Sequence, residues 1–309
     1  MKLATSLNLL FERTGHDDYF NSDNYLKAIQ LCNDCGFNTL DWNASDYVYP
    51  ETKQISKALT GENWRTHIEG MRNKAEQLGM TFNQCHSFMY NYFENSDHTK
   101  YLSSFEERVM DACKILGIAR IVYHPVAPPQ FRETKDVNAC KEANSTYLRT
   151  VAEKAAMRGI EIAIENMFVS NQKDGTPFWR YCSKPEELVD LVDTIDMENV
   201  CICMDVGHAH IMAENLPDTI SYYGKRLKAL HISDNDGYSD QHLMPFLGTI
   251  DWTSVMKALY EVGYAGEFTY EIHNSTIRMP VELRKLMLRE SFEVGQWLLR
   301  TYEGFCSKQ

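Results

Sequence analysis

Hydrophobic and polar positions along the chain follow a repeating unit. A helix-like stretch ends in a glycine, and a short apolar run follows at once. The unit recurs as "LCNDCGFNTLDW", "AEQLGMTFNQCH", "CKILGIARIVYH", "AAMRGIEIAIE" and "YEVGYAGEFTYE". Gly36, Gly79, Gly117, Gly159 and Gly263 stand where a helix closes with a left-handed residue. The runs behind them are β-rich and apolar, as strands buried on both faces should be. Eight such runs occur, near Leu3–Leu9, Phe37–Asn43, Met80–His86, Ile118–His124, Ile160–Glu165, Val200–Asp205, Leu227–Ser233 and Gly266–Ile272. Helical patterns fall between them, including Trp64–Leu78, Leu102–Leu116, Ala139–Met157 and Pro185–Ile195, and Pro280–Tyr302 reads as an amphipathic closing helix. Strand alternating with helix predicts a parallel sheet. Eight units predict an α/β fold of the (β/α)8 TIM barrel type, with residues 1–309 as one domain. A doubly wound open sheet is the alternative, but no G-x-G-x-x-G follows the first strand.

Composition narrows the function classes. With 44% hydrophobic and 24% charged residues, the chain can bury a large core. No apolar run approaches the length of a membrane span, so no membrane partner is expected. The opening "MKLATSLNLLFERTG" reads as a first strand and not a signal peptide, since acidic and aromatic residues follow its short apolar stretch. Nine cysteines, an odd number spread through the chain, argue for reduced thiols and a cytoplasmic location. Cys32 and Cys35 form a C-x-x-C pair with no second pair nearby, which reads as structural. A net charge of −12 disfavours broad contact with nucleic acid and suits a chain whose carboxylates are reserved for cations. Nothing in the pattern settles oligomeric state, and a homo-oligomer stays open.

The last residues of strands three to eight are His86, His124, Glu165, Asp205, His231 and Glu271. In a barrel these ends converge on one mouth, where active sites are built. Singly, each has an ordinary structural reading: a strand-end histidine is usually just hydrogen-bonded, and Glu165 could cap the next helix. Six in succession predict a site, because bare carboxylates converge only at high electrostatic cost unless cations join them. Glu165, Asp205, His231 and Glu271 make an oxygen-rich set with one nitrogen, suited to Mn²⁺, Mg²⁺, Co²⁺ or Zn²⁺. "MDVGHAH" adds His208 one turn beyond Asp205, while His210 is expected to face away.

These residues resemble the xylose isomerase-like barrel superfamily, which holds sugar isomerases and epimerases together with endonuclease IV. The resemblance is carried by "IENM", "MDVGHAH", "LHISDNDGYSDQHLMPFLGTIDW" and "TYEIH", with "QCHSF" and "VYHP" extending it back to strands three and four. For an epimerase it implies one divalent metal on Glu165, Asp205, His231 and Glu271. For endonuclease IV it implies three zinc ions on nine residues, all matched here: His86, His124, Glu165, Asp205, His208, His231, Asp240, His242 and Glu271. Asp240 and His242 then return from their loop to a second metal or to a substrate hydroxyl. Asp234 and Asp236, beside Gly237, are expected to shape that loop.

Two departures favour a small-molecule enzyme over a nuclease. Phosphate contact needs Arg and Lys, yet the loop "SFMYNYFENSD" is aromatic and acid-ended, and the loop after strand seven is acidic. The small-residue "AP" and "NLAS" run of the endonuclease is also missing after His86. The resemblance therefore implies a metal-dependent isomerase or epimerase acting on a ketose or keto-sugar through an enediolate. Glu165 and Glu271 would exchange a proton with the carbon beside the carbonyl, and His208 would bond an oxygen at the reacting carbons. A keto-glycoside lyase or deglycosidase uses the same proton removal and remains an alternative, as does an endonuclease IV-like AP endonuclease with a multinuclear zinc site. No Gly-rich phosphate loop follows strands seven and eight, so an unphosphorylated sugar or polyol is expected. A pure binding protein has no use for six aligned ligating side chains.

Two loops are expected to set specificity. Phe88, Tyr90, Tyr92 and Phe93 could stack on a sugar ring or aglycone, or pack on one another. "NMFVSNQKDGTPFWRYC" is long enough for a lid, with Trp179 as a wall and Arg180 as a polar anchor. "GTIDW" reads as a turn followed by an Asp-capped helix.

Overall fold

The computed structural model describes residues 1–10, 22–49, 52–171, 177–277 and 279–306. Among them eight parallel strands form the barrel: β1 (Leu3–Ser6), β2 (Thr39–Asn43), β3 (Thr81–His86), β4 (Arg120–Tyr123), β5 (Glu161–Glu165), β6 (Val200–Asp205), β7 (Leu227–His231) and β8 (Phe268–Tyr270). The sheet runs β8-β1-β2-β3-β4-β5-β6-β7. It closes where the Ile232 N–H donates to Thr269 O at 2.8 Å and the Glu271 N–H to Ile232 O at 3.0 Å. The main helices around it are α1 (Ser22–Asp34), α2 (Trp64–Gln77), α3 (Glu106–Leu116), α4 (Val137–Ala156), α5 (Pro185–Ile195), α6 (Leu216–Tyr223), α7 (Trp252–Glu261) and α8 (Val281–Cys306).

Local signals in the chain act as anticipated. The five helix-closing glycines all take positive φ, from 66° at Gly263 to 106° at Gly36, a region that costs residues with a Cβ about 1 kcal/mol or more. Asp251 accepts from the Thr253 and Ser254 N–H groups and so starts α7. Some boundaries differ. The first strand stops at Ser6 and passes into a 3-10 turn, Leu7–Leu10, instead of reaching Leu9. The helix expected over Leu102–Leu116 is two: Asp97–Ser103, started by the Ser96 cap, and α3, which begins after Phe105. The lid region forms a small antiparallel hairpin, Ser170–Asn171 with Pro177–Phe178. Residues 172–176 at the centre of the expected lid lie outside the described residues, as do residues 11–15 of the opening stretch.

The barrel interior is divided by chemistry. Small apolar side chains, Val122, Ala163, Cys201, Cys203 and Ala229, pack together on β4 to β7. Across from them, Asn83 donates to Thr269 Oγ1 at 2.8 Å, a bond that spans from β3 to β8. Cys32 and Cys35 are buried free thiols, in line with a structural role. No described helix is long and apolar enough to cross a membrane.

Candidate active site

The strand ends bring the six anticipated side chains to one rim of the barrel. Asp205 and His231 are register partners on β6 and β7, and Glu165 ends β5 opposite Cys203. Ligand atoms of Glu165, Asp205, His231 and Glu271 all lie within 4.8 Å of one another. His231 Nδ1 is 3.0 Å from Glu165 Oε1 and 3.7 Å from Glu271 Oε2. Donors bonded to a common ion at about 2.1 Å stand roughly 3–4 Å apart, so these spacings fit a divalent cation. Asp205 supplies an independent sign. Its Oδ1 accepts the His208 N–H at 2.7 Å, while its buried Oδ2 has no hydrogen-bond partner. A buried carboxylate oxygen without a donor is costly unless a cation satisfies it.

A second convergence lies beside the first. His86 Nε2 and His124 Nε2 are 3.0 Å apart, and they stand 3.5 Å and 3.0 Å from Glu165 Oε2. Three imidazoles are oriented through the backbone. His86 Nδ1–H donates to Ser87 O at 2.8 Å, His208 Nδ1–H to Asn166 O at 2.9 Å, and His242 Nδ1–H to Glu271 O at 2.8 Å. A ring whose Nδ1 carries the donated proton presents Nε2 to the site, the arrangement found behind metal-bound histidines. His242 Nε2 meets Asp240 Oδ2 at 3.0 Å, and His208 Nε2 lies 3.9 Å from the same oxygen.

Electrostatics bind the cluster together. Burial opposes ionisation of Glu165, yet His231 and His124 hold it well below the usual carboxylate range. Burial raises Asp205 to about 6. Burial also opposes charge on His208 and His242, but Asp205 and Asp240 draw His208 up to about 10, and Asp240 and Glu271 draw His242 up to about 9. The carboxylates thus pull positive charge into the site, whether as protons on imidazoles or as a cation that displaces them.

A cavity of about 430 Å³ opens over this cluster, walled by Glu165, Glu271, His208, Asp240, His242 and Arg180 among others. Asp205 and His231 lie beneath it, 0% and 1% exposed. Arg180 sits with its guanidinium 4.5 Å over the Phe168 ring, which in turn faces His208 at 4.5 Å. Trp179 and Tyr90 wall a smaller neighbouring cavity. His210 turns away and contacts Thr249, as anticipated. Asp234 is buried and accepts from the Asn235, Phe246 and Ile250 N–H groups and from Trp252 Nε1, so it organises the loop.

In the aromatic loop after β3, Phe88, Tyr92 and Phe93 pack within the protein, the second of the two roles expected of them, while Tyr90 walls the smaller cavity. Phe88 is buried in the core and lines neither cavity. Tyr92 stacks on Tyr147 of α4 at 3.8 Å and donates to Asn144 at 2.5 Å, with Phe93 packed at its edge. Aromatic faces here find partners within the protein, which buries more apolar area than an open cavity wall does. Met89, Met167 and Phe168 wall the larger cavity instead, although no spacing in the sequence marked them. Asn166 also escaped the sequence reading. It donates to Asp205 O at 2.9 Å and accepts from Asp205 N–H at 2.8 Å, tying β5 to β6 behind the carboxylate cluster. Its only signal was its place beside Glu165 in "IENM".

A profile of the xylose isomerase-like TIM barrel family matches residues 29–298. The chain belongs to that family. Relatives of this xylose isomerase-like barrel include an inosose isomerase of Bacillus velezensis, 23% identical over 93% of this chain and 94% of its own. An uncharacterised protein of Methanocaldococcus jannaschii is 30% identical over 178 residues, and the chain spans about half of its length, 56%. Among solved structures, D-psicose 3-epimerase from Clostridium cellulolyticum H10, crystallised with D-tagatose, gives a TM-score of 0.71 at 18% identity over 97% of this chain and 99% of that one. The IolI protein, crystallised with a zinc atom, gives 0.69 at 18% identity over 94% and 96%. At such identities these structures speak to the fold.

Proposed function

We propose that this barrel is a divalent-metal-dependent sugar isomerase or epimerase, moving a proton at the carbon beside the carbonyl of a ketose or keto-sugar. The carrying observation is which of the converging groups reach the cavity. Glu165 and Glu271 are on its wall, while Asp205 and His231 lie beneath. The two glutamates come from strand ends three steps apart around the ring, so a sugar between them meets one carboxylate on each side. Glu165, Asp205, His231 and Glu271 would hold the ion. When bound, it supplies Lewis acidity at the carbonyl and the neighbouring hydroxyl, which acidifies the adjacent C–H bond.

The chain's own groups do the rest. One glutamate takes the proton and the other returns it, and each has a second oxygen left to hold its place in the cluster. His208 is steered by the Asn166 carbonyl and presents Nε2 to a substrate oxygen. The inosose isomerase and D-psicose 3-epimerase relatives support the reaction class. Around the cavities the cations among the described residues are Arg132 and Arg180, few for a phosphorylated substrate, which favours an unphosphorylated sugar. The test is incubation with ketoses and keto-sugars in D₂O. Deuterium should enter at the carbon beside the carbonyl, and a panel showing neither exchange nor loss of a leaving group overturns the reading.

The His86, His124 and Glu165 Oε2 convergence favours a second reading of the same site, in which it holds an additional ion. Elemental analysis of protein purified without added metal separates the two, at one or more than one ion per chain.

A further inference from the structure

Beside the larger cavity lies a second of about 160 Å³. The two share Met89, His124, Met167 and Arg180 as walls, so the smaller continues directly from the proposed reacting centre. Its chemistry is different. The Tyr90 hydroxyl is given to Glu106, Asn91 donates to Ala127 O at 2.9 Å and accepts from Phe93 N–H at 3.0 Å, and Arg132 is paired with Glu94 at 3.0 Å. What remains toward the space is Pro125, Val126, Ala127 and the rings of Phe178 and Trp179. Such walls stabilise an apolar or aromatic group and give a ring rich in hydroxyls few groups to bond. Arg180 stands at the junction with its guanidinium stacked on Phe168 and 5.6 Å from Phe178, a posture that leaves its edge donors for an oxygen linking two parts of a ligand.

We propose that the smaller cavity is an aglycone subsite, so that the substrate is a keto-glycoside whose sugar ring lies against Glu165 and Glu271 while an apolar aromatic aglycone fills the space between Ala127 and Trp179. The assignment rests on the sugar isomerase reading, which places the sugar in the larger cavity. A free ketose leaves these apolar walls without an occupant.

The experiment measures equilibrium binding to the metal-loaded protein by calorimetry, using 4-nitrophenyl and methyl glycosides of the same sugar in both anomers. The aryl glycoside should bind at least tenfold more tightly. Ala127→Phe fills the subsite and Trp179→Ala removes its wall, and either should bring the aryl-to-methyl ratio below threefold. If one variant does not fold, as judged by circular dichroism, the other decides. No aryl advantage in the wild type, including no binding of either glycoside, overturns the subsite, as does an advantage that survives substitution. Deuterium exchange into ketoses without an aryl advantage removes the subsite and leaves the isomerase reading standing. An aryl advantage with no exchange or elimination from any keto-sugar or keto-glycoside keeps the subsite and removes that reading.

Discussion

Glu165 is surrounded by imidazoles: His231 and His124 at 3.0 Å, His86 at 3.5 Å and His208 at 3.6 Å. A neutral amide in its place keeps the shape and loses the charge that would hold a cation. Glu165→Gln and His231→Ala should therefore each lower bound divalent ion at least tenfold and abolish sugar exchange. Elemental analysis and D₂O exchange check this, and full occupancy with activity in both variants removes the assignment. Glu271 is less enclosed, with a side chain 12% exposed. Glu271→Gln should retain part of the ion yet slow exchange roughly 10²–10⁴-fold, because an amide cannot accept the proton. Loss of ion and of exchange in equal measure would show that Glu271 acts only as a ligand.

The loop after β7 shows how an element is held for function. Asp234 has no exposed surface and collects four donors, tying the loop that carries Asp240 and His242 to α7. Asp234→Ala leaves those donors unpaired and should destabilise the protein by about 3 kcal/mol, read from urea midpoints. The start of the helix after β6 is packed as tightly. A Cβ on Gly207 would run into Ser233 Oγ, so the turn that positions His208 needs glycine. The convergence of His, Asp and Glu at the strand ends was legible because strand period and strand end coincide there. The loop faces were not legible: "SFMYNYFENSD" offers four aromatic rings, and only the packing of α4 decides that Tyr92 turns inward to Tyr147.

At the scale of the whole molecule, pH also acts through a buried group that lines neither cavity. His67 on α2 meets the Tyr47 hydroxyl at 2.8 Å, and burial lowers it from 6.5 to about 4. The unfolded chain therefore binds the proton more readily, and stability present above pH 6.5 is lost as pH falls towards 4. Relative to wild type, His67→Gln should flatten that loss by about 2 kcal/mol at pH 4.5, measured by urea unfolding across the window. Parallel curves for the two proteins would remove the assignment. Net charge bears on the nuclease alternative. With −12 overall and Arg132 and Arg180 as the cations around the cavities among the described residues, DNA carrying an abasic site should not be incised under conditions that support sugar exchange. Substantial metal-dependent incision without exchange reverses the ranking.

The order of elements, the closing glycines and the convergence of six His, Asp and Glu strand ends follow from the sequence alone, since each depends on local period, backbone conformation or topology rules that force parallel strand ends to one rim. Tertiary structure decided the rest. Whether Asp205 Oδ2 goes unpaired depends on what the fold brings beside it, and both the orientation of His208 and the bracing of Asp205 by Asn166 depend on residues 39 or more positions apart meeting at hydrogen-bond distance. The same holds for the smaller cavity, where Tyr90, Asn91 and Arg132 each bond a partner elsewhere in the fold and leave an apolar stretch facing the space. A polar residue in a sequence carries no mark of whether its bond is already made.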